Sequence, residues 1–204
     1  MRLVVEGASA HRGDELIFDA ISFSLSSGEG MAVVGPNGSG KSTLLRVLAG
    51  LLPLSTGTVR TEGLNEAAGE TLRTSMHFIN ALNAMKPALS VAENLLFWQA
   101  FHGKPWMNTR DALAQFGMNH VHDVPFSDLS TGQRRRVNLS RLFLNKRPLW
   151  VLDEPTSGLD TASERVFAAL LKAHIDEGGL FIAATHLPLG EAASKTLRFQ
   201  AAGG

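Results

Sequence analysis

The chain has 204 residues, nineteen basic against nineteen acidic and no cysteine. This length suits one large domain, or one domain carrying an inserted subdomain, burying about 70% of its unfolded surface. Zero net charge excludes the field that draws a basic domain onto nucleic acid, and the lack of cysteine excludes disulfides, thiolate metal sites and covalent haem attachment. No segment offers 18 or more uninterrupted apolar residues and the N-terminus has no extended apolar leader, so the chain is expected neither to enter nor to cross a bilayer by itself.

In chain order, residues 3–5, 17–25 and 31–34 read as strands, with Gly7, Gly13 and the S-S-G-E-G stretch at 26–30 as turns. They form an antiparallel lead-in to a first parallel strand. The next run, G-P-N-G-S-G-K-S-T at 35–43, has the pattern GxxxxGK[ST], and Leu44, Leu45, Val47, Leu48 and Leu51 then keep an apolar stripe on a helix starting near Gly40. Strand, glycine-rich turn and helix make a phosphate cradle of Gly35, Pro36, Asn37, Gly38, Ser39, Gly40, Lys41, Ser42 and Thr43. Glycines let the N–H groups of residues 36–42 converge on a triphosphate, and the helix N-terminus adds about half a positive charge. Lys41 supplies an ammonium for the β and γ phosphates, Ser42 a hydroxyl for Mg²⁺, and Thr43 a lesser contact to the α phosphate.

Residues 53–60 read as a turn into a short strand, and 76–79 as another. Helical periodicity then covers 90–101 and 109–116, with Asn108 and Asp111 placed as a capping pair, so residues from about 85 to 130 read as a helical insert. Apolar runs at 149–152 and 180–184, separated by a helix near 161–177, have the spacing of a βαβ unit in a parallel sheet, and K-T-L-R-F is a last strand. Asp153 and Glu154 fall at the C-terminal edge of the first of these strands, where parallel sheets carry reactive groups. Asp153 is expected to hold Mg²⁺ through water and Glu154 to act as general base on the water that attacks the γ phosphate, a solvated pair at a strand end being the alternative.

L-S-T-G-Q-R opens a further helix at 129–134, with Ser130 at the N-cap; an anion site and an ordinary cap both fit. At this point the ordered set resembles the nucleotide-binding subunits of ATP-binding cassette (ABC) transporters over nearly the whole chain. Residues 35–43 match the Walker A motif, 129–133 the LSGGQ signature with Thr131 for its first glycine, 149–154 the Walker B motif, 157–160 the D-loop and Thr185-His186 the switch histidine. The resemblance implies an α/β fold: a P-loop NTPase (RecA-like) core with an antiparallel β lead-in and an inserted helical subdomain. It makes 1–204 one domain, with 1–84 and 131–204 as catalytic core. It also implies ATP and Mg²⁺ as ligands, a homodimer in which Ser130, Gly132 and Gln133 close over the partner's ATP, a contact from Asp160, and a role for His186 in touching the γ phosphate and orienting Glu154.

Besides Thr131, two positions depart from the family pattern. Arg12, flanked by His11, stands where an aromatic ring usually stacks on adenine; the loop after residue 79 has no glutamine, with Leu82 near that place and Asn83 or Asn80 as substitutes. The stretches at 83–98, 129–137, 147–155 and 183–190 resemble more narrowly the ATP-binding subunits of haem exporters in bacterial cytochrome c maturation. That implies a peripheral ATPase on the cytoplasmic face of the inner membrane, docked on integral permease subunits and driving haem export or release of a haem-loaded chaperone, with no nucleic acid and no direct haem contact. A cassette for another exporter, of a drug, ion or lipid, is the rival reading. A soluble ABC ATPase would carry two cassettes or a long coiled coil, and a P-loop kinase would have no use for the signature helix. His120 and His122 read as surface residues rather than ligands, and Arg134, Arg135 and Arg136 as a solvated face.

Overall fold

Alternation along the parallel strands divides the core into two layers. The computed structural model describes residues 1–80, 82–186 and 189–199. Its larger sheet contains β3 (Gly30–Val34), β5 (Met76–Ile79), β6 (Leu149–Asp153), β7 (Leu180–Ala184) and β8 (Lys195–Arg198), all parallel, in the order β5-β6-β7-β3-β8. Leu149 and Val151 of β6, Leu180 and Ile182 of β7, and Met31 and Val33 of β3 face one layer; Trp150, Leu152, Phe181, Ala183 and Ala32 face the other. Successive side chains of a strand point to opposite faces, and a parallel sheet covered on both faces requires both sets to be apolar.

The first layer is closed by α1 (Lys41–Leu48) and by a separate antiparallel sheet of β1 (Arg2–Arg12), β2 (Glu15–Ser26) and β4 (Thr56–Glu62), ordered β2-β1-β4. Gly7, expected to be a turn, instead lies inside β1. Between Val5↔Phe23 and Ala8↔Ile21 the first strand has one residue more than the second, and the ladder absorbs it as a bulge while the Gly7 N–H donates to the Ser22 hydroxyl at 2.8 Å. Gly13 does turn the chain, between the paired residues Arg12 and Glu15. Leu51 also departs from expectation: α1 ends at Leu48, so the apolar stripe stops there and Leu51 is 61% exposed.

The second layer packs α2 (Val91–His102), α3 (Thr109–Ala114), α4 (Thr131–Ser140) and α5 (Thr161–Asp176) against the sheet. Asn108 caps α3, its Oδ1 accepting from the Asp111 N–H at 2.9 Å, as the sequence pair suggested. Ser90 and Glu93 form a reciprocal box at the start of α2. Buried Asn94 then pins the preceding loop, accepting from the Lys86 N–H at 2.7 Å and donating to the carbonyls of Lys86 and Ser90 at 3.0 Å each. Among the described residues no helix is long and apolar enough to cross a membrane.

Three histidines are folded into this framework in neutral form. His77 is fully buried, with Nε2 2.7 Å from the Asn145 carbonyl, and burial pushes it well below its ordinary value of 6.5. Burial first, then Arg147 and Arg141, brings His102 to about 4, and burial brings His174, stacked on Trp150 at 3.7 Å, to about 4. Because the folded values lie below the unfolded one, the unfolded chain binds more protons between about pH 4 and 6.5. The stability these residues contribute is therefore full above pH 6.5 and is lost as pH falls through the window. Thermal melts between pH 7.5 and 4.5 are expected to show Tm falling below about 6.5, with His102→Asn flattening the slope; a level Tm would contradict the buried neutral state.

Candidate functional site

Three neighbouring strand ends, those of β6, β7 and β3, carry the site. After β3 the chain turns tightly through Gly35 to Gly40. A Cβ at Gly35 would lie 2.6 Å from the Phe199 carbonyl, and one at Gly40, whose φ is +100°, would lie 2.9 Å from Ile17 Cγ2, so the loop is packed down on β2 and on the residue after β8. Lys41 is buried; its Nζ donates to the Gly35 and Pro36 carbonyls at 2.8 Å each, which holds the ammonium within the loop and leaves its third N–H for a phosphate oxygen. Ser39 Oγ is buried without a partner, a hydroxyl still to be satisfied. Thr43 is buried on α1.

Ser42 and Asp153, 111 residues apart, meet: Ser42 Oγ donates to Asp153 Oδ1 at 2.9 Å. Both are hard oxygen donors, and Asp153 is 2% exposed at the end of β6, so the pair suits Mg²⁺, which takes few protein ligands and keeps waters. These residues fit the ion that the motif implies.

Glu154 follows with φ +47°, a left-handed backbone that costs a residue with a Cβ about 1–2 kcal/mol. The turn aims its side chain away from the strand toward the end of β7. There His186 Nε2 stands 3.3 Å from Glu154 Oε1 and 2.9 Å from Asn37 Oδ1, so an Nε2–H faces both acceptors and joins Glu154 to the glycine-rich loop. The Glu154 N–H donates to the Ala184 carbonyl at 2.9 Å, fixing the two strand ends together. Lys41, Ser42, Asp153, Glu154 and His186 are thus brought to one edge, with Asn37 among them.

The signature residues lie elsewhere. Ser130 caps α4, its Oγ accepting from the Gln133 N–H at 3.3 Å while Gln133 Oε1 accepts from the Ser130 N–H at 2.9 Å. A Cβ at Gly132 would be 3.2 Å from the Gly158 carbonyl, which sets the signature directly beside the D-loop. Asp160 caps α5, accepting from the Ser163 N–H at 2.7 Å, and this bond holds its carboxyl below the usual range. Arg12 is exposed at the tip of the β1–β2 hairpin, and the hairpin residue that touches the cradle is Ile17. After β5, Leu82 is 76% exposed, while the side-chain oxygens of Asn80 and Asn83 are buried without partners, which favours the two asparagines over Leu82 as polar groups of this loop.

The arginine run corrects the sequence reading. Arg135 is not on a solvated face: it is 4% exposed and turned into the protein beneath Glu154. Arg134 lies over the Phe126 ring at 5.7 Å. Of the His120/His122 pair, His122 is half-buried, its Nε2 3.0 Å from Thr109 Oγ1 and its Nδ1 2.6 Å from Asp123 Oδ1, so it braces α3.

Residues 18–157 match the family model described as ABC transporter. The chain belongs to the ABC transporter family. This ABC ATPase is 47% identical over 201 residues to the cytochrome c biogenesis ATP-binding export protein CcmA of Chelativorans sp. (strain BNC1), covering 98% of this chain and 99% of that one. It is 48% identical to the protein of the same name from Rhizobium meliloti (strain 1021), covering 97% of each. Its fold superposes with TM-score 0.82, at 22% identity and over 98% of this chain and 94% of the other, on the ATP-binding cassette MJ0796, solved as a dimer in a post-hydrolysis state bound to ADP and Pi. The activity of the ABC ATPase is hydrolysis of ATP with Mg²⁺, and members of the family typically dimerise and pair with membrane permease subunits.

Proposed function

We propose that this ABC ATPase powers an exporter of cytochrome c biogenesis, coupling ATP hydrolysis to haem export or to release of a haem-loaded chaperone. In this reading it acts as a homodimer on integral permease subunits at the cytoplasmic face of the bacterial inner membrane. Near-full-length similarity to proteins named for that export step supports the assignment, and the Glu154–His186–Asn37 contact carries the hydrolytic part. Residues 1–84 and 131–204 form the catalytic core in this proposal, with about 85–130 as a helical subdomain.

Glu154 accepts a proton from water as the water oxygen bonds to the γ phosphorus, and the β–γ bridging bond breaks with its electron pair leaving on ADP. His186 holds the Glu154 carboxylate toward the cradle, where Asn37 Oδ1 faces the same imidazole nitrogen. Lys41 and the N–H groups of the loop neutralise the charge carried by the phosphates. Mg²⁺ bound by Ser42 and Asp153 supplies Lewis-acid neutralisation of the phosphate oxygens.

The permease contact is supported by an apolar groove of about 360 Å³ between the sheet and α2, lined by Leu51, Met76, Phe78, Trp98 and Phe101, with Arg73 and Arg141 beside them. Leu51 and Phe101 are 61% and 68% exposed, and Phe97 and Leu96 of the same helix are half exposed, more apolar surface than scattered residues account for. Trp98 Nε1 donates to the Ala84 carbonyl at 3.1 Å, so a segment seated here presses on the loop that leaves β5 toward the nucleotide site. An apolar cytoplasmic helix of the permease is the proposed occupant. Co-purification from membranes, with the retained subunits identified by mass spectrometry, tests this: Phe101→Asp is expected to lose the permease at least tenfold while Tm stays within a few degrees. Retention of the permease, or retention of subunits unrelated to cytochrome c biogenesis by the natural chain, would overturn it.

A further inference from the structure

Arg135 is a buried cation that the reaction described above does not use, and its partners are unusual. From the second turn of α4 its Nε donates to the Pro155 carbonyl at 3.0 Å, one terminal nitrogen to the Asn80 carbonyl at 2.9 Å, and the other to the carbonyls of Asp153, at 3.0 Å, and Glu154. All are main-chain oxygens, and no carboxylate is bonded to it among the described residues. A planar guanidinium has five N–H groups in a fixed fork, and here that fork fits the backbone of the turn that carries Glu154.

That turn needs holding. Glu154 sits at φ +47°, a conformation that persists only where the surroundings over-determine it, and three consecutive carbonyls gathered on one cation do so. Gathering carbonyl oxygens also brings their partial negative charges together, which a cation relieves and a neutral donor relieves much less. Burial pushes the guanidinium down to about 10, against the pull of the Asp153 and Glu154 charges, so it remains charged at neutral pH.

We propose that Arg135 is a positioning residue that sets the direction of the Glu154 carboxylate and ties it to the signature helix and to the end of β5. Arg135 is the fifth residue after Ser130, so α4 carries the signature at its N-cap and the Glu154 clamp on its second turn. A shift of α4 moves both. Through the Asn80 carbonyl the same side chain reaches the loop that Trp98 and Asn94 hold against α2. The base is thereby aligned according to where the signature helix and that loop stand. The proposal rests on the role given to Glu154 above.

The test compares the full chain with Arg135→Gln and Arg135→Lys, measuring kcat and KM for Mg-ATP with rates normalised to titrated ATP-binding sites, so that partly folded material does not count. Misalignment of a catalytic group by about 1 Å costs on the order of 10² in rate. Arg135→Gln is expected to lower kcat by about ten- to a hundredfold with KM within about threefold, and Arg135→Lys, which keeps the charge but not the fork, to recover part of the loss. A merely structural role would lower the number of binding sites and leave kcat per site unchanged. Either folded variant turning over within twofold of the natural chain, or a loss carried wholly by KM, would overturn the proposal. Glu154→Gln run in parallel separates the two levels: if it hydrolyses ATP normally, the role of Glu154 fails, whatever Arg135 does.

Discussion

Glu154→Gln is expected to bind Mg-ATP within a fewfold of the natural chain and to lose about 10² to 10⁴ fold in single-turnover hydrolysis, or about 2.7–5.4 kcal/mol of transition-state stabilisation. The amide has almost the same shape, so the left-handed turn at 154 and the Arg135 clamp on its carbonyl both survive. What disappears is the acceptor for the water proton. Gln133, Lys41 and Ser42 are untouched, which is why affinity holds while chemistry stops. His186→Ala should fall between, because it leaves the base in place and removes only the Nε2 contact that points it at Asn37. Rapid-mix hydrolysis with filter-binding of nucleotide measures both quantities on one sample. An unchanged hydrolysis rate in Glu154→Gln would mean that another group takes the proton.

The gathering of these residues at the three strand ends was legible because each part is written locally. A glycine-rich turn needs its lysine six residues after its first glycine, and an apolar strand needs its carboxylates at the end where parallel sheets open. Meeting across 111 residues, Ser42 and Asp153 add what topology supplies once β3 and β6 are placed in one sheet. The pairing of Asn108 with Asp111 and the strand at 76–79 were likewise local. Gly7 misled because a glycine between two apolar runs marks a bulge as readily as a turn, and only the partner strand's register tells them apart.

Arg135 misled for a different reason. Three consecutive arginines look like a charged surface, yet a helix turns 100° per residue and cannot expose them all. Val137 to Ser140, which follow the run, are all buried, so the helical period alone does not tell which of the three arginines turns inward, and the structure places Arg135 there. The carbonyls that make burial of the charge tolerable lie near residues 80 and 154, far along the chain, where no local pattern in the sequence relates them to Arg135. The contact of Gly132 with the Gly158 carbonyl is hidden in the same way, since no spacing rule relates a helix start to a loop 26 residues later.

Mixed dimers are expected to show the other large effect, because the signature and the cradle occupy different parts of one chain. Ser130 is exposed at the N-cap of α4 beside the D-loop and Lys41 is held within its own loop; in the proposed homodimer each ATP is sandwiched between Lys41 of one protomer and Ser130 of its partner. A dimer of one Lys41→Ala chain with one Ser130→Arg chain then keeps one intact site and should retain a measurable share of activity, up to about half. Combining Lys41→Ala and Ser130→Arg on one chain and pairing it with an unaltered chain breaks both sites, and hydrolysis should fall by at least about 10² fold. Loss of the Ser130 cap costs only about 1 kcal/mol, so the altered chains stay folded, which a melt verifies. Differently tagged protomers, purified in tandem, give dimers of defined composition. Activity in the second dimer and none in the first would put signature and cradle of one ATP site on the same chain, because a site built within one protomer is spared by an unaltered chain and destroyed when each chain carries one lesion.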